Sequence, residues 1–298
     1  GNLGYQSGPW SSFVSAGFVS DERTALGVND RERYDAASAL ESVTAQDILL
    51  TPSRKGQNFN ATVDYKLSSR DVLSNALMLS HRSSGELSLT TQSLRDSSGA
   101  EMDRFLRPRE ADSKGVMVDY DVAFKRTFKP REHELSTELR FNRGHDEDLT
   151  DDRQLASAGA PYTNGRIDRN DAVTRQLTGQ VDYTKTFRPR TKLETGWKSN
   201  AQWLDREYAV TTDASGGGAW AVSSLSNSLE FDEAVHAVYA LMSQGVKKWD
   251  LQAGLRGEYA SRTFSLASER YPYDYASLFP SAVASYNLGQ GTQFKASY

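Results

Sequence analysis

A chain of 298 residues with a formal net charge of −4 and a pI of 5.7 carries no basic surplus of the kind nucleic-acid binding needs, and none is expected as a partner. It has no cysteine, which excludes disulfide frameworks and thiolate metal sites. Mean hydropathy is −0.62 and no run of about eighteen apolar residues occurs, which excludes a transmembrane helix. A membrane β-barrel is not excluded, because its strands turn only alternate residues to lipid.

In chain order, Gly1-Asn2-Leu3-Gly4-Tyr5 reads as the end of a strand entering a turn at Gln6-Ser7-Gly8-Pro9. Trp10 to Ser20 reads as a strand, and Asp21 to Gln57 as a long polar stretch without period. From Asn58 to Leu67 the alternation is clear: Phe59, Ala61, Val63 and Tyr65 face one way, Asn60, Thr62 and Asp64 the other. A short turn leads back through Val72 to His81. Ser83 to Ser113 is again long and polar, with turn signals at Asp96-Ser97-Ser98-Gly99. Gly115 to Lys125 and Leu135 to Phe141 alternate around the short turn Phe128-Lys129-Pro130-Arg131. A third polar stretch covers Arg143 to Ala172. Leu177 to Tyr183 and Leu193 to Trp197 then flank Phe187-Arg188-Pro189-Arg190.

A Gly/Ser-rich stretch from Ala209 to Ser228 precedes the hairpin Leu229 to Tyr259, which bends at Gly245-Val246-Lys247-Lys248. On its return arm Trp249, Leu251, Ala253, Leu255 and Tyr259 oppose Asp250, Gln252, Arg256 and Glu258. Ser265 to Ser277 reads as a shorter loop, and Ala282 to Leu288 as a strand turning at Gly289-Gln290-Gly291. Phe294 to Tyr298 stops within an alternating strand, so the chain reads as a fragment of a longer protein.

Connections alternate short and long. Loops beyond about 12 to 15 residues are unusual in compact soluble domains, whereas outer-membrane barrels have short periplasmic turns and long outer loops. The repeats Val63-Asp64-Tyr65, Val118-Asp119-Tyr120 and Val181-Asp182-Tyr183 place Tyr65, Tyr120 and Tyr183, with Trp249 and Tyr286, at one membrane interface just above the short turns. Phe141, Trp197, Phe231 and Tyr259 fall toward the other. The expected fold is therefore an all-β, antiparallel transmembrane β-barrel, present in part as about twelve strands, with short periplasmic turns and long extracellular loops. A soluble sandwich or barrel uses the same alternation to fill a core and stays open as an alternative.

Phe231-Asp232-Glu233-Ala234-Val235-His236-Ala237-Val238-Tyr239, Leu251-Gln252-Ala253-Gly254-Leu255-Arg256-Gly257-Glu258, Leu278-Phe279-Pro280-Ser281 and Lys192-Leu193-Glu194-Thr195-Gly196 resemble recurring barrel strands of TonB-dependent outer-membrane receptors. The resemblance is densest over the last seventy or so residues and extends by strand rhythm over the chain. It implies a barrel of about 22 strands whose lumen holds an N-terminal plug, in the outer membrane of a Gram-negative bacterium. It also implies uptake of a scarce ligand, such as an iron–siderophore, a carbohydrate, cobalamin or a peptide. The TonB complex would act through the plug, and outer-membrane lipid would surround the wall. Residues 1–298 are then a partial barrel domain, with the plug and the C-terminal strands absent. A plug-less porin, a structural or adhesive barrel, and a soluble β-rich module are the competing readings.

Arg256 and Glu258 face the lumen and either contact the plug or form a polar wall pair. Trp220, Tyr271, Tyr273 and Tyr275 are aromatic loop residues, read as ligand contacts or as loop packing. The four histidines, His81, His133, His145 and His236, share no metal-ligand spacing, so no metal site and no cofactor are expected. Asp146-Glu147-Asp148 with Asp151-Asp152 is an acidic run, read as a solvated loop before a Ca²⁺ site because it lacks EF-hand spacing. Gly216-Gly217-Gly218 reads as a flexible loop tip. No G-x-S-x-G elbow occurs and no enzyme activity is expected.

Overall fold

A period of two carried over long stretches leaves the backbone no option but pairing with its neighbours, and the chain folds as one antiparallel sheet. The computed structural model describes every residue except Gln290, so the Gly289-Gln290-Gly291 turn lies partly outside the described residues. Fourteen strands and no helix are present among the described residues. They are β1 (Asn2–Ser7), β2 (Trp10–Glu22), β3 (Ala25–Tyr34), β4 (Leu40–Lys66), β5 (Asp71–Asp96), β6 (Glu101–Lys129) and β7 (His133–Leu155). The remainder are β8 (Tyr162–Arg188), β9 (Thr191–Asp213), β10 (Ala221–Val222), β11 (Asn227–Val246), β12 (Trp249–Leu266), β13 (Glu269–Gly289) and β14 (Thr292–Ser297).

β2 and β3 both pair with β4 and act as one strand interrupted at Arg23-Thr24. There Pro52 of β4 has no N–H to give, and its carbonyl accepts from the Arg23 N–H at 3.2 Å. β10 and β11 likewise share β9. With β3 and β10 off the main path, twelve strands lie side by side. β1 and β14 each pair on one side only, and the sheet is open among the described residues.

The long polar stretches differ from expectation in form. β4 to β9 run 23 to 29 residues each, well beyond the ten or so that cross a bilayer. Ser83 to Ser113 and most of Arg143 to Ala172 are hairpin extensions, not irregular loops. Cross-strand ion pairs such as Arg107–Asp152 (2.8 Å) and Arg33–Glu41 (2.9 Å) hold them in register, and tight turns close them. At one such turn Asp96 Oδ1 accepts from the N–H groups of Ser98 and Ala100 at 2.8 and 3.0 Å.

The two faces differ in accessibility. One register row runs Tyr65, Leu73, Phe124, Thr137, Val181, Trp197, Val238. A row on the opposite face runs Asp121, Arg140, Thr178, Asn200, Val235, Ala260, Tyr275. Buried residues of the lower strands, Asp119, Ala237, Ala260 and Ser285, all lie on the second, polar face, while Trp197 and Val238 are exposed on the first. Side chains on a concave surface converge and shield one another, so the polar face is the inside of the curve and the apolar face the outside.

Rows climb away from the short turns strand by strand. Tyr65 is next to the end of β4, whereas its row-mates Phe124, Val181 and Val238 sit five, seven and eight residues from theirs. Tilted barrel strands require this stagger. It corrects the expected level of Tyr120, which lies nine residues from the end of β6 and directly opposite Phe141, so it belongs with the upper aromatics. The Val-Asp-Tyr repeat misled because β6 continues well past it. Phe231 is also corrected: it pairs with Leu204 and Phe264 on the inner face, the face of Glu233, and cannot point to lipid.

Candidate functional site

Near the short turns the outer face carries paired aromatics. Trp249 stands opposite Tyr286 with ring centroids 4.9 Å apart, and Trp10 opposite Tyr65 at 4.3 Å. Tyr183 is five residues from the end of β8, its hydroxyl 2.9 Å from His133 Nε2. Trp249 and Tyr259 are ten residues apart on this face of β12. At about 3.3 Å per residue and a tilt near 40° they bracket roughly 25 Å, the height of a lipid-facing band. Below the band, Arg190 in the β8–β9 turn donates to the carbonyls of Lys247 (2.6 Å) and Trp249 (3.1 Å) and to Asp250 (2.7 Å), tying two turns together.

The inner face at band level is a connected polar wall. Tyr239 of β11, Gly196 of β9 and Asp182 of β8 are register partners in one row. The Tyr239 hydroxyl reaches across Gly196 and donates to Asp182. A Cβ at Gly196 would lie 2.5 Å from that hydroxyl, so glycine leaves the gap the tyrosine crosses. On the other side Arg256 stands opposite Tyr239, its guanidinium carbon 5.6 Å from the ring centroid, and donates to Glu258 at 2.5 Å. Gln180 donates to Asp182 at 2.6 Å. The structure thus places Arg256 and Glu258 on the inner wall and bonds them to each other; the Tyr239–Gly196–Asp182 bridge was not legible, since it joins three strands.

Higher on this face Asp119, 8% exposed, accepts a fork from Arg140 (2.8 and 3.1 Å) and a bond from Asn142 at 3.0 Å. Glu233 accepts from Arg262 Nε at 2.9 Å. Above these charges sits an inner aromatic patch. Tyr271, Tyr273 and Tyr275 alternate along β13 and share the inner face, with Tyr273 and Tyr275 centroids 5.6 Å apart and Tyr271 6.2 Å from Phe264. These tyrosines lie on a strand rather than in the loop expected for them.

Trp220 is elsewhere, in the β9–β10 connection beside the start of β8. It packs on Tyr162 (6.1 Å) with the Arg153 guanidinium over both rings, and a Cβ at Gly165 would lie 2.7 Å from it. It therefore serves packing at that connection's tip. Asp213, fully buried, organises this tip: it accepts from the N–H groups of Ser215 (3.1 Å), Gly216 (3.1 Å) and Gly218 (2.6 Å) and from the Tyr162 hydroxyl (3.1 Å). Burial alone would raise its pKa, but these donors outweigh it and hold the carboxyl below its ordinary value. Gly216 and Gly218 take positive φ to present those N–H groups, so the glycine run is a clasped turn.

Strand alternation dismantles the acidic run. Asp146 and Asp148 fall on one face and Glu147 and Asp151 on the other. Asp146, Asp151 and Asp152 pair with Arg82, Arg153 and Arg107, which leaves no shared oxygen cage for Ca²⁺. Ser199 Oγ lies 2.8 Å from His236 Nδ1, but no carboxylate pairs with that ring among the described residues, so the pair lacks the third group that orients a base.

A wide antiparallel wall with an apolar convex band, aromatic levels and a charged concave face defines an outer-membrane β-barrel. A model of the outer membrane protein beta-barrel family matches residues 126–298, and the chain belongs to that family. It resides in the outer membrane of a Gram-negative bacterium. Among solved structures it is similar to the open form of the ferric-catecholate import receptor Fiu from E. coli K12, at 10% identity and a TM-score of 0.54. That match covers 96% of this chain and 53% of Fiu, so the chain spans about half of that receptor. The unliganded ferric citrate transporter FecA matches at 12% identity and a TM-score of 0.42, over 92% of this chain and 43% of FecA. The E. coli outer membrane protease OmpT matches at 10% identity and a TM-score of 0.32, over 97% of this chain and 96% of OmpT. A search of curated proteins finds no match.

Proposed function

We propose that the chain forms part of the barrel of a TonB-dependent receptor that imports a scarce ligand such as a ferric siderophore. The observation that carries this reading is the inner wall. Several of its charges are paired with one another, as in Arg140–Asp119, Arg256–Glu258 and Arg262–Glu233. Such pairs present satisfied polar groups on which a folded plug can rest, and a plug is what connects a receptor to the TonB complex. The fold-level likeness to half of Fiu supports the same reading, and Fiu's ligand class, the ferric catecholates, is the first to test. The inner tyrosines Tyr271, Tyr273 and Tyr275 are the ligand contacts this reading assigns on the outer side of the plug.

The test is uptake of radiolabelled ferric catecholate by iron-limited cells with and without the full gene, and with a protonophore. The reading predicts uptake that is lost on deletion and abolished by the protonophore. Unchanged uptake, together with steady open conductance of the full-length protein in planar bilayers, would make it a porin instead.

A further inference from the structure

We propose that His145, Glu147 and Asp171 bind one divalent transition-metal cation of the zinc class on the outward face of the β7–β8 hairpin, above the lipid band. His145 and Glu147 are two residues apart on one strand and so share a face, and Asp171 of β8 stands directly opposite Glu147. His145 Nε2 lies 3.0 Å from Asp171 Oδ1 and 3.7 Å from Glu147 Oε1, and one donor atom of each residue lies within 4.8 Å of the others. A tetrahedral ion with bonds of about 2.1 Å separates its ligand atoms by roughly 3.4 Å, so side-chain adjustment alone closes the set.

The row carries more negative charge than its one lysine balances. Glu147, Asp171 and Glu207 are successive register partners across β7, β8 and β9, three carboxylates in one row, with Lys114 of β6 opposite Glu147 at its end. Like charges directly opposite one another destabilise a sheet. Neighbouring acids avoid this: Asp146 pairs with Arg82 at 2.7 Å, Asp151 with Arg153 at 2.8 Å, Asp152 with Arg107 at 2.8 Å, and Asp148 accepts from Asn170 at 3.0 Å. Glu147 and Asp171 close ion pairs only with His145; Lys114 stands opposite Glu147 without closing one, and Glu207 has none among the described residues. Glu147 and Asp171, with Lys114, Arg169 and Glu207, line one surface groove, which leaves the two carboxylates open to solvent. An imidazole nitrogen with two carboxylates suits zinc; calcium and magnesium take oxygen ligands. The linear sequence hides the set because Asp171 lies 26 residues beyond His145.

The test titrates zinc chloride into the metal-free, full-length protein folded in detergent, by calorimetry and by thermal melting. The proposal predicts one equivalent whose affinity falls at least about tenfold in His145→Ala and in Asp171→Asn, while His236→Ala on the same face leaves it intact. Zinc raises the melting temperature of the parent protein and not of His145→Ala, and excess calcium does not displace it. Melting without metal shows that the exposed-site variants are folded. Absence of a stoichiometric zinc equivalent, or its retention in both His145→Ala and Asp171→Asn, overturns the site.

Discussion

The two faces of the same strands follow opposite rules. On the outside Leu139, Val181, Trp197 and Val238 stand exposed with little but the next strand to touch. On the inside Asp119, Ala237 and Ala260 are almost wholly covered, and charged groups are knitted together by Arg140, Arg256 and Arg262. In water that arrangement is inside out. It is stable only where the convex face meets lipid and the concave face meets something polar. One residue of register slip would exchange the two environments along the whole strand.

A charge on the convex band breaks this contrast most directly. Val238→Arg should cost about 2–4 kcal/mol of folding free energy in a bilayer. Ala123→Arg, at a similar height on the concave face beside Glu138, should cost less than about 1 kcal/mol, since its charge stays out of lipid. Denaturant titration of folding into lipid vesicles measures both.

Gly196→Ala sharpens the account of the inner wall. A methyl there meets the Tyr239 hydroxyl and, at 2.6 Å, the Val181 carbonyl, so the bond to Asp182 breaks. Loss of a half-buried polar contact of this kind costs about 1–3 kcal/mol. In a Tyr239→Ala background the same change should cost distinctly less, and a double-mutant cycle reads the difference. Trp249→Ala removes the tilted ring contact with Tyr286 at the lower interface and should cost about 0.5–1.5 kcal/mol beyond lost area.

The smallest expected effect is at the hairpin tips. Asp168 is held below its ordinary pKa by the Arg166 guanidinium and the Tyr208 hydroxyl, and Asp213 by its N–H donors. A depressed folded-state pKa contributes stability above the unfolded value near 3.9, and that stability is lost as pH falls through the folded value. Protease protection around Gly216 to Gly218 should therefore hold down to about pH 4 and fail below it. Asp213→Asn should weaken protection at neutral pH and blunt the acid step.

How much of this was legible depends on whether a feature repeats along one strand or joins several. Period two at Asn58–Lys66 and Trp249–Tyr259 survives any neighbour, so twelve strands and the inward direction of Arg256 and Glu258 are readable from residues alone. The hairpin extensions were not, because above the lipid both faces of β5 to β8 are wet and the apolar half of the pattern disappears. Tyr120 was misplaced because level depends on the stagger between strands, which no single strand encodes. The Tyr239–Asp182 bridge and the His145–Asp171 contact join residues brought together only by register. Gly196, a glycine inside a strand, was the one local sign of the first.

The central claim is the orientation of this wall, with the Lys247-Lys248 turn in the periplasm and the Gly216–Gly218 tip outside the cell. These 298 residues have no cysteine, so a thiol introduced among them reports its own side once any cysteine elsewhere in the full-length protein is replaced by serine. Gly217→Cys and Lys247→Cys, each in the full-length protein, are to be exposed to a membrane-impermeant maleimide in intact cells and again after permeabilisation. The account predicts that Gly217→Cys labels in intact cells and Lys247→Cys only after permeabilisation. Labelling of Lys247→Cys in intact cells would contradict it.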